Sequence, residues 1–269
     1  CFRDEDLRAD RQPEFTQIDI EMAFVDQEDV FAMAEGMLSR VFREIKGIDI
    51  PTPFRRMPYI EAMNRFGSDK PDLRFGLELS DLSDLVSESG FGVFKSTIAN
   101  GGVVKAIRLP GGGLSRSKVD KELGGVVKIY GAKGLAWIKL EDGAWGGPIA
   151  KFFGDDEKAA ISERLGLQDG DQAFFVADTE AVAWHALGAL RVHLGKTQDL
   201  IDREAYEFCI VTDFPSFEYD PDEDRWIAMH HPFTSPREED IPLMDTDPGK
   251  VNSVAYDVVL NGYEIGGGS

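Results

Sequence analysis

Four groups of residues in this 269-residue chain have types and spacings that could do chemistry, and the first lies near its start. Arg3 and Glu5 are two residues apart, so they share one face of an extended arm. On the next arm, side chains alternate between two faces: Ile18, Ile20, Met22 and Phe24 form an apolar face, and the other face carries Phe15, Gln17, Asp19 and Glu21. A guanidinium there could bind a phosphate through two hydrogen bonds, and Phe15 could stack on a base. A surface hairpin held by ion pairs is the alternative, and spacing alone slightly favours it.

Two further groups lie near the end of the chain. Adjacent strand residues point to opposite faces, so His230 and His231 are poorly placed to chelate one metal ion. Asp257 and Glu264 are seven residues apart, which on a straight strand would separate them. An irregularity at Asn261-Gly262 could bring both carboxylates to one side, where they would suit Mg²⁺.

The fourth group consists of the glycine-rich stretches 110–113 and 266–269. Neither matches the Walker A pattern or the dinucleotide-binding pattern. The spacing of their glycines therefore predicts no phosphate-binding loop.

Composition narrows the class of protein. The net charge is −20, and residues 199–269 hold 4 Lys/Arg against 17 Asp/Glu, which argues against a broad nucleic-acid surface on that part. The two cysteines, Cys1 and Cys209, are far apart, which predicts a reducing, cytoplasmic location and no zinc site. No apolar run approaches the roughly 20 residues of a membrane helix.

Hydrophobic periodicity predicts a helix over residues 30–45 that ends at Gly47. Residues 51–75 are rich in Pro, Arg and turn residues, which indicates a domain boundary. Between 75 and 204, short helices and strands alternate, including a predicted strand at 91–97, which is typical of a compact α+β unit.

From residue 207 onward, a strand pattern returns. Segments 208–213 and 225–231 flank an acidic turn and predict an antiparallel hairpin, and a further strand is predicted over 254–260. The predicted fold class is therefore α+β, with an antiparallel-sheet domain interrupted by an inserted α+β domain.

The opening segment resembles motif 2 of class II aminoacyl-tRNA synthetases, in the form seen in bacterial-type aspartyl-tRNA synthetases. Four other stretches resemble the same family in the same order: GSDKPDLR (67–74), VKIYGAKGLAWIK (127–139), AMHHPFTSP (228–236) and AYDVVLNGYEIGGGS (255–269). The resemblance implies a partial antiparallel β-sheet catalytic core in residues 1–74 and 205–269. It also implies a GAD domain inserted at 75–204.

The activity implied by this resemblance has two steps. L-aspartate would attack the α-phosphate of ATP to form aspartyl-adenylate, and the aspartyl group would then pass to tRNA(Asp). Whether tRNA(Asn) is also a substrate stays open.

The resemblance also implies roles for individual residues. Arg3 would hold the α-phosphate and the reacting carboxylate, and Asp257 and Glu264 would carry Mg²⁺. The implied ATP-binding residues are Arg3, Asp4, Glu5, Gln12, Phe15 and Glu264. The implied aspartate-binding residues are Arg3, Asp19, His230 and His231.

A cytoplasmic homodimer without membrane contact is implied for the full-length protein, and the chain is expected to be a piece that does not catalyse the overall reaction alone. Two alternatives stay open. A sister enzyme for asparagine or lysine is disfavoured by the GAD-like insertion. A non-catalytic paralogue acting as a binding or regulatory module is disfavoured because it would have little need of the retained polar residues Arg3, Glu5, Asp19, Asp257 and Glu264.

Overall fold

A computed structural model describes residues 1–4 and 11–269, and the chain divides into two compact units. The first unit is Cys1–Arg56 with Phe208–Ser269, and the second is Met57–Glu207.

The helices are α1 (Gln27–Val41), α2 (Tyr59–Phe66), α3 (Ser83–Val86), α4 (Gly92–Ala99), α5 (Arg116–Lys118), α6 (Gly124–Ile129), α7 (Asp155–Leu165) and α8 (Glu180–Thr197). The strands are β1 (Arg55–Pro58), β2 (Leu79–Asp81), β3 (Val103–Leu109), β4 (Ala136–Glu141), β5 (Ala144–Gly146), β6 (Gln172–Asp178), β7 (Phe208–Thr212), β8 (Phe217–Asp220), β9 (Arg225–Ala228), β10 (Tyr256–Leu260) and β11 (Tyr263–Gly268).

The first unit contains a four-stranded sheet of order β1-β7-β10-β11, in which β10 is antiparallel to both neighbours. Helix α1 begins at Asp26, whose side chain accepts a hydrogen bond from the backbone N–H of Asp29. A π turn extends it to Gly47, which adopts the left-handed conformation that ends helices. The predicted helix is thus confirmed, together with its stop.

The predicted hairpin between 208–213 and 225–231 is wrong. Strand β7 pairs with β10 instead, and the hairpin is formed by β8 and β9, which pair from Phe217↔Ala228 to Asp220↔Arg225. The run Cys209-Ile210-Val211 is fully buried, as in a strand covered on both faces. Such a strand lies inside a sheet with a neighbour on each side, here β1 and β10. Its partner β10 comes from a distant part of the chain.

The second unit is built on an antiparallel sheet of order β2-β3-β6-β4-β5. Helices α6 and α8 cover one face, where Ile107 and Phe174 lie in the core. Helices α4 and α7 cover the other face, where Ala106 and Phe175 are buried. Neighbouring residues along each strand thus enter different cores. Antiparallel sheets with helices in both units confirm the predicted α+β class.

The predicted strand at 91–97 is wrong, because residues 92–99 form helix α4. Phe94 is buried in the core, whereas Val93 is exposed. Phe91 and Ile98 pack against the same core, three and four residues from Phe94, which is a helical spacing. Burial of Phe91, Phe94 and Ile98 against one core outweighs the strand preference of the β-branched residues in this segment.

The boundary of the second unit lies earlier than residue 75. Residues 57–75 belong to this unit, where they approach α8 closely. A Cβ at Gly188 would lie 2.3 Å from the carbonyl oxygen of Gly67, and a Cβ at Gly195 would lie 2.7 Å from the ring of Phe75. The turn-rich stretch 51–75 thus contains the boundary between the two units, which falls between Arg56 and Met57, and its later part packs on α8.

Candidate functional site

The opening segment forms the first arm of the expected hairpin. Phe2 and Glu14 form an antiparallel bridge, and the backbone N–H of Arg3 donates to the carbonyl of Pro13 at 2.9 Å. The Arg3 guanidinium lies over the Phe15 ring, 5.3 Å from its centroid. The structure thus brings together the cation and the aromatic ring that the sequence singled out.

The second arm does not form the predicted strand. Beyond Phe15, residues 16–24 lack strand pairing within the described residues, and the expected apolar face, which includes Ile18 and Phe24, is exposed. A strand needs a neighbour for its backbone groups, and alternation of side chains does not supply one.

Three predicted site residues, Asp4, Gln12 and Asp19, are exposed. Within the part of the chain that the structure describes, no hydrogen bond or ion pair engages their side chains. Glu5 lies outside the described residues.

The carboxylates of Asp257 and Glu264 lie on one face of the first unit's sheet. Asp257 and Val259 are two residues apart on β10, and Val259 is paired with Glu264 across to β11. Residues two apart share a face, and so do cross-strand partners. Ile265 is left without a partner where the register shifts, so it forms a β-bulge. The hairpin turn at Asn261-Gly262, with positive φ at both residues, therefore brings the two carboxylates to one face, as the sequence indicated. The bulge at Ile265 lies beyond Glu264 and places Gly267 opposite Asp257.

Two neighbours define the surroundings of these carboxylates. Arg11 Nη2 donates to Glu264 Oε2 at 3.2 Å, and both side chains are partly buried. A Cβ at Gly267, the cross-strand partner of Asp257, would lie 2.7 Å from Asp257 Oδ1. Glycine at that position therefore leaves room for the Asp257 carboxylate. Sequence reasoning missed both residues. Arg11 is one of several charged residues in its loop, and Gly267 is one of three consecutive glycines, so spacing distinguishes neither of them from its neighbours.

Helix α1 supports β10 from the sheet's other side. The ring of Phe31 meets the ring of Tyr256 edge-on at 4.7 Å, and burial raises the pKa of Tyr256. The buried Glu35 carboxylate accepts from the backbone N–H of Phe54 at 3.0 Å and also binds Arg56. The ring contact with Phe31 thus orients Tyr256, the residue next to Asp257.

His230 and His231 lie beyond the end of β9 and line one open pocket of about 270 Å³, with Ser216 and Thr234 among the other lining residues. His230 Nε2 bonds to the carbonyl of Pro215 at 3.1 Å, which places the proton on that nitrogen. His231 Nδ1 accepts from the backbone N–H of Phe233 at 3.2 Å. The two rings therefore face one pocket while each is held by its own backbone partner.

Other sequence candidates have structural explanations. The glycine-rich loop 110–113 is held by Asp171, which accepts from the Gly111 N–H at 2.9 Å, so the loop is part of the fold. Cys209 is buried, which raises the pKa of its thiol to about 12 and leaves it protonated at neutral pH. Among the described residues, no group of three or more His, Cys, Asp or Glu side chains could hold a metal ion. In the same residues, no helix is both long and apolar enough to cross a membrane.

The family model for class II tRNA synthetases (D, K and N) matches residues 1–269, the whole chain. The chain belongs to this family. The Arg3–Phe15 pair and the two carboxylates on β10 and β11, which make up the candidate site, all lie in the first unit of this chain.

Individual synthetases from bacteria resemble the chain over its full length. It is 55% identical over 271 residues to the aspartate–tRNA ligase of Halalkalibacterium halodurans and 56% identical over 270 residues to that of Lysinibacillus sphaericus. A relative from Desulfatibacillum aliphaticivorans, named aspartate–tRNA(Asp/Asn) ligase, is 55% identical. All of this chain is covered in each case, but only 45% or 46% of the relative, so the chain spans less than half their length.

Proposed function

We propose that the protein to which this chain contributes attaches L-aspartate to tRNA through aspartyl-adenylate, with ATP as the second substrate. The observation that carries this proposal is the similarity of the whole chain, at 55% and 56% identity, to two bacterial aspartate–tRNA ligases. Within the first unit, the contact between Arg11 and Glu264, at 3.2 Å, joins the segment holding the Arg3–Phe15 pair to the strand that bears the second carboxylate.

The physical problem of the first step is that two anions must meet. The aspartate carboxylate has to approach the α-phosphate, and negative charge accumulates on the phosphate oxygens as the new bond forms. A cation held in place before the reaction lowers this barrier, because it needs no reorganisation during the step. Arg3 is the residue we assign to this role, since its planar guanidinium can bind two oxygens at once.

The other proposed site residues bind either ATP or aspartate. Phe15 would stack on adenine, while Asp4, Glu5 and Gln12 would contact the nucleotide. Asp19 would bind the α-ammonium group of aspartate, and His230, with His231 beside it, would close over the amino acid. The exposure of Asp4, Gln12 and Asp19 leaves their polar atoms available to a ligand.

The carboxylates of Asp257 and Glu264 fit a divalent cation that also binds ATP. Magnesium is commonly held by one or two carboxylates together with substrate phosphates, so two protein ligands on one face are sufficient. The space kept by Gly267 beside Asp257 Oδ1 is consistent with this donor set. When bound, Mg²⁺ would neutralise charge on the phosphates of ATP.

Further proposals follow from the relatives. We assign tRNA(Asp) as the acceptor and treat tRNA(Asn) as a second acceptor to be tested. From the family resemblance, we also propose that the full-length protein is a cytoplasmic homodimer and that residues 75–204, within the second unit, correspond to the GAD domain of bacterial aspartyl enzymes.

The proposed reaction is tested by amino-acid-dependent exchange of pyrophosphate into ATP. A protein carrying this chain with the flanking regions of its relatives should exchange pyrophosphate into ATP when aspartate is present, and not when asparagine or lysine is present instead. Exchange with asparagine or lysine alone would contradict the choice of substrate. No exchange with any of the three would favour the non-catalytic paralogue. We expect the 269-residue chain alone to be inactive, and robust exchange by it would contradict that expectation.

Gly267→Ala should lower exchange by about tenfold, because the new Cβ would displace the Asp257 carboxylate by steric contact. The loss should appear together with a raised requirement for Mg²⁺. Gly266→Ala is the matched control, since no atom lies within 4 Å of a Cβ at that position. Equal activities of the two variants would refute the role given to Gly267.

A further inference from the structure

One face of the second unit carries a concentration of positive charge that the proposed reaction does not use. Helices α5 and α6, joined by a π turn at Val119–Leu123, form one helical segment over 116–129. Val119, Leu123 and Val127 from this segment are buried in the core, which fixes the side that faces solvent. The exposed residues that we call the basic surface are Arg116, Lys121, Lys128, Ile129, Tyr130 and Lys133.

The charge of this region is opposite to that of the chain. Residues 116–133 contain five Lys/Arg and two Asp/Glu, whereas the whole chain has a net charge of −20. Both acidic residues are already paired. Asp120 accepts from Arg116 Nε at 3.1 Å, and Glu122 bonds to His193 Nε2 at 2.9 Å.

The lysines of this region, in contrast, are available to a partner. Within the described residues, no hydrogen bond or ion pair engages the ammonium groups of Lys118, Lys121 or Lys128. Lys133 forms one long ion pair, at 4.0 Å to Asp178, and its side chain is 89% exposed. Exposed lysines of this kind bind a polyanion by replacing its counterions.

Apolar and small residues lie among these cations. Ile129 is 81% exposed and Tyr130 is 47% exposed, at the point where α6 ends. No atom lies within 4 Å of a Cβ built at Gly125, so the helix surface is open between Lys121 and Lys128. An exposed aromatic ring next to lysines is typical of surfaces on which nucleic-acid bases stack.

We propose that the basic surface binds RNA, with Lys121, Lys128 and Lys133 on phosphates and Tyr130 stacked on an unpaired base. The choice of RNA among polyanions rests on the proposed function, in which tRNA is a substrate. This surface is separate in sequence from the acidic residues 199–269, where composition argued against nucleic-acid binding.

The test is the binding of a fluorescein-labelled tRNA transcript to the 269-residue chain, measured by anisotropy between 50 and 200 mM salt. The triple variant Lys121→Gln/Lys128→Gln/Lys133→Gln is compared with Lys95→Gln/Lys158→Gln/Lys196→Gln, which removes equal charge elsewhere in the same unit. Each phosphate contact adds about 0.7–0.9 to the slope of log K against log salt. We therefore expect the first variant to lose about 2 in slope and at least about tenfold in affinity at 50 mM salt, and the second to stay close to wild type.

Tyr130→Ala provides an independent reading of the stacking contact. It should weaken binding by about five- to tenfold while leaving the salt slope unchanged, because no charge is removed. Circular dichroism would show that each variant is folded.

The proposal is overturned if the two triple variants lose affinity equally, or if the wild-type chain shows no binding at 50 mM salt. It is also overturned if the basic-surface variant loses binding to phosphatidylglycerol vesicles but not to RNA. The assay contains neither ATP nor aspartate, so its failure is distinguishable from failure of the exchange reaction.

Discussion

Arg3→Ala is expected to reduce aspartate-dependent pyrophosphate exchange by about 10²–10³-fold in a protein that carries this chain with its flanking regions. Loss of one preorganised group at a developing anion raises the barrier by about 2.7–4 kcal/mol. The effect should fall mainly on kcat, since the charge on the α-phosphate oxygens grows in the transition state. KM for ATP should change less, because the stacking surface of Phe15 is retained.

Arg3→Lys separates charge from geometry. A lysine keeps the positive charge but cannot form two parallel hydrogen bonds, so activity should lie between those of wild type and Arg3→Ala. Arg40→Ala is the control, because Arg40 is exposed on α1 and pairs with Glu44 on the same helix. A rate of pyrophosphate exchange for Arg3→Ala within threefold of the wild-type rate would contradict the assignment of Arg3 to the α-phosphate.

Those elements that depend on local chemistry could be predicted from the sequence. Ser115 caps the helix that follows it, because its side chain accepts from the backbone N–H of Lys118. Thr179 does the same for α8, and Gly47 ends the helical segment that begins with α1. These signals act within a few residues, so no knowledge of the rest of the fold is needed.

Elements decided by distant partners were predicted poorly. The partner of β7 is β10, about fifty residues further along the chain, and nothing within 208–213 distinguishes it from a nearer strand. The same holds for Gly67 and Phe75, whose packing on α8 depends on glycines of that helix more than a hundred residues away. Local pattern shows that a segment is buried but does not identify what covers it.

The candidate site was predictable to the same degree. Arg3 and Phe15 meet because a short hairpin returns the chain on itself, and the spacing indicated this. Arg11 and Glu264 are 253 residues apart, so their contact depends on the whole fold of the first unit. The shared face of Asp257 and Glu264 follows from the two-residue turn at Asn261-Gly262, which the sequence marks. The bulge at Ile265, which places Gly267 opposite Asp257, is marked by no turn residue.

The second unit offers a prediction of comparable size for stability, centred on Arg191. This side chain is 1% exposed, lies over the ring of Phe75, and burial lowers the pKa of its guanidinium to about 10, so it is still protonated at neutral pH. Its guanidinium donates to three backbone carbonyls at 2.7 to 3.0 Å, those of Asp72, Phe75 and Gly76. It thereby holds the irregular segment before β2 against α8.

Arg191→Met should lower the free energy of unfolding by about 3–5 kcal/mol, because it leaves three carbonyl oxygens without their donor at similar side-chain volume. Urea unfolding of the 269-residue chain, followed by far-UV circular dichroism, measures the change. Arg116→Met is the matched control, since that side chain is exposed, and its pair with Asp120 should be worth less than about 1 kcal/mol. Arg191→Lys should fall between the two, because an ammonium group cannot reach all three carbonyls as the fork of arginine does. If the urea midpoint of unfolding for Arg191→Met equals that of Arg116→Met, the three carbonyls find other donors. The guanidinium would then not hold the segment before β2 in place.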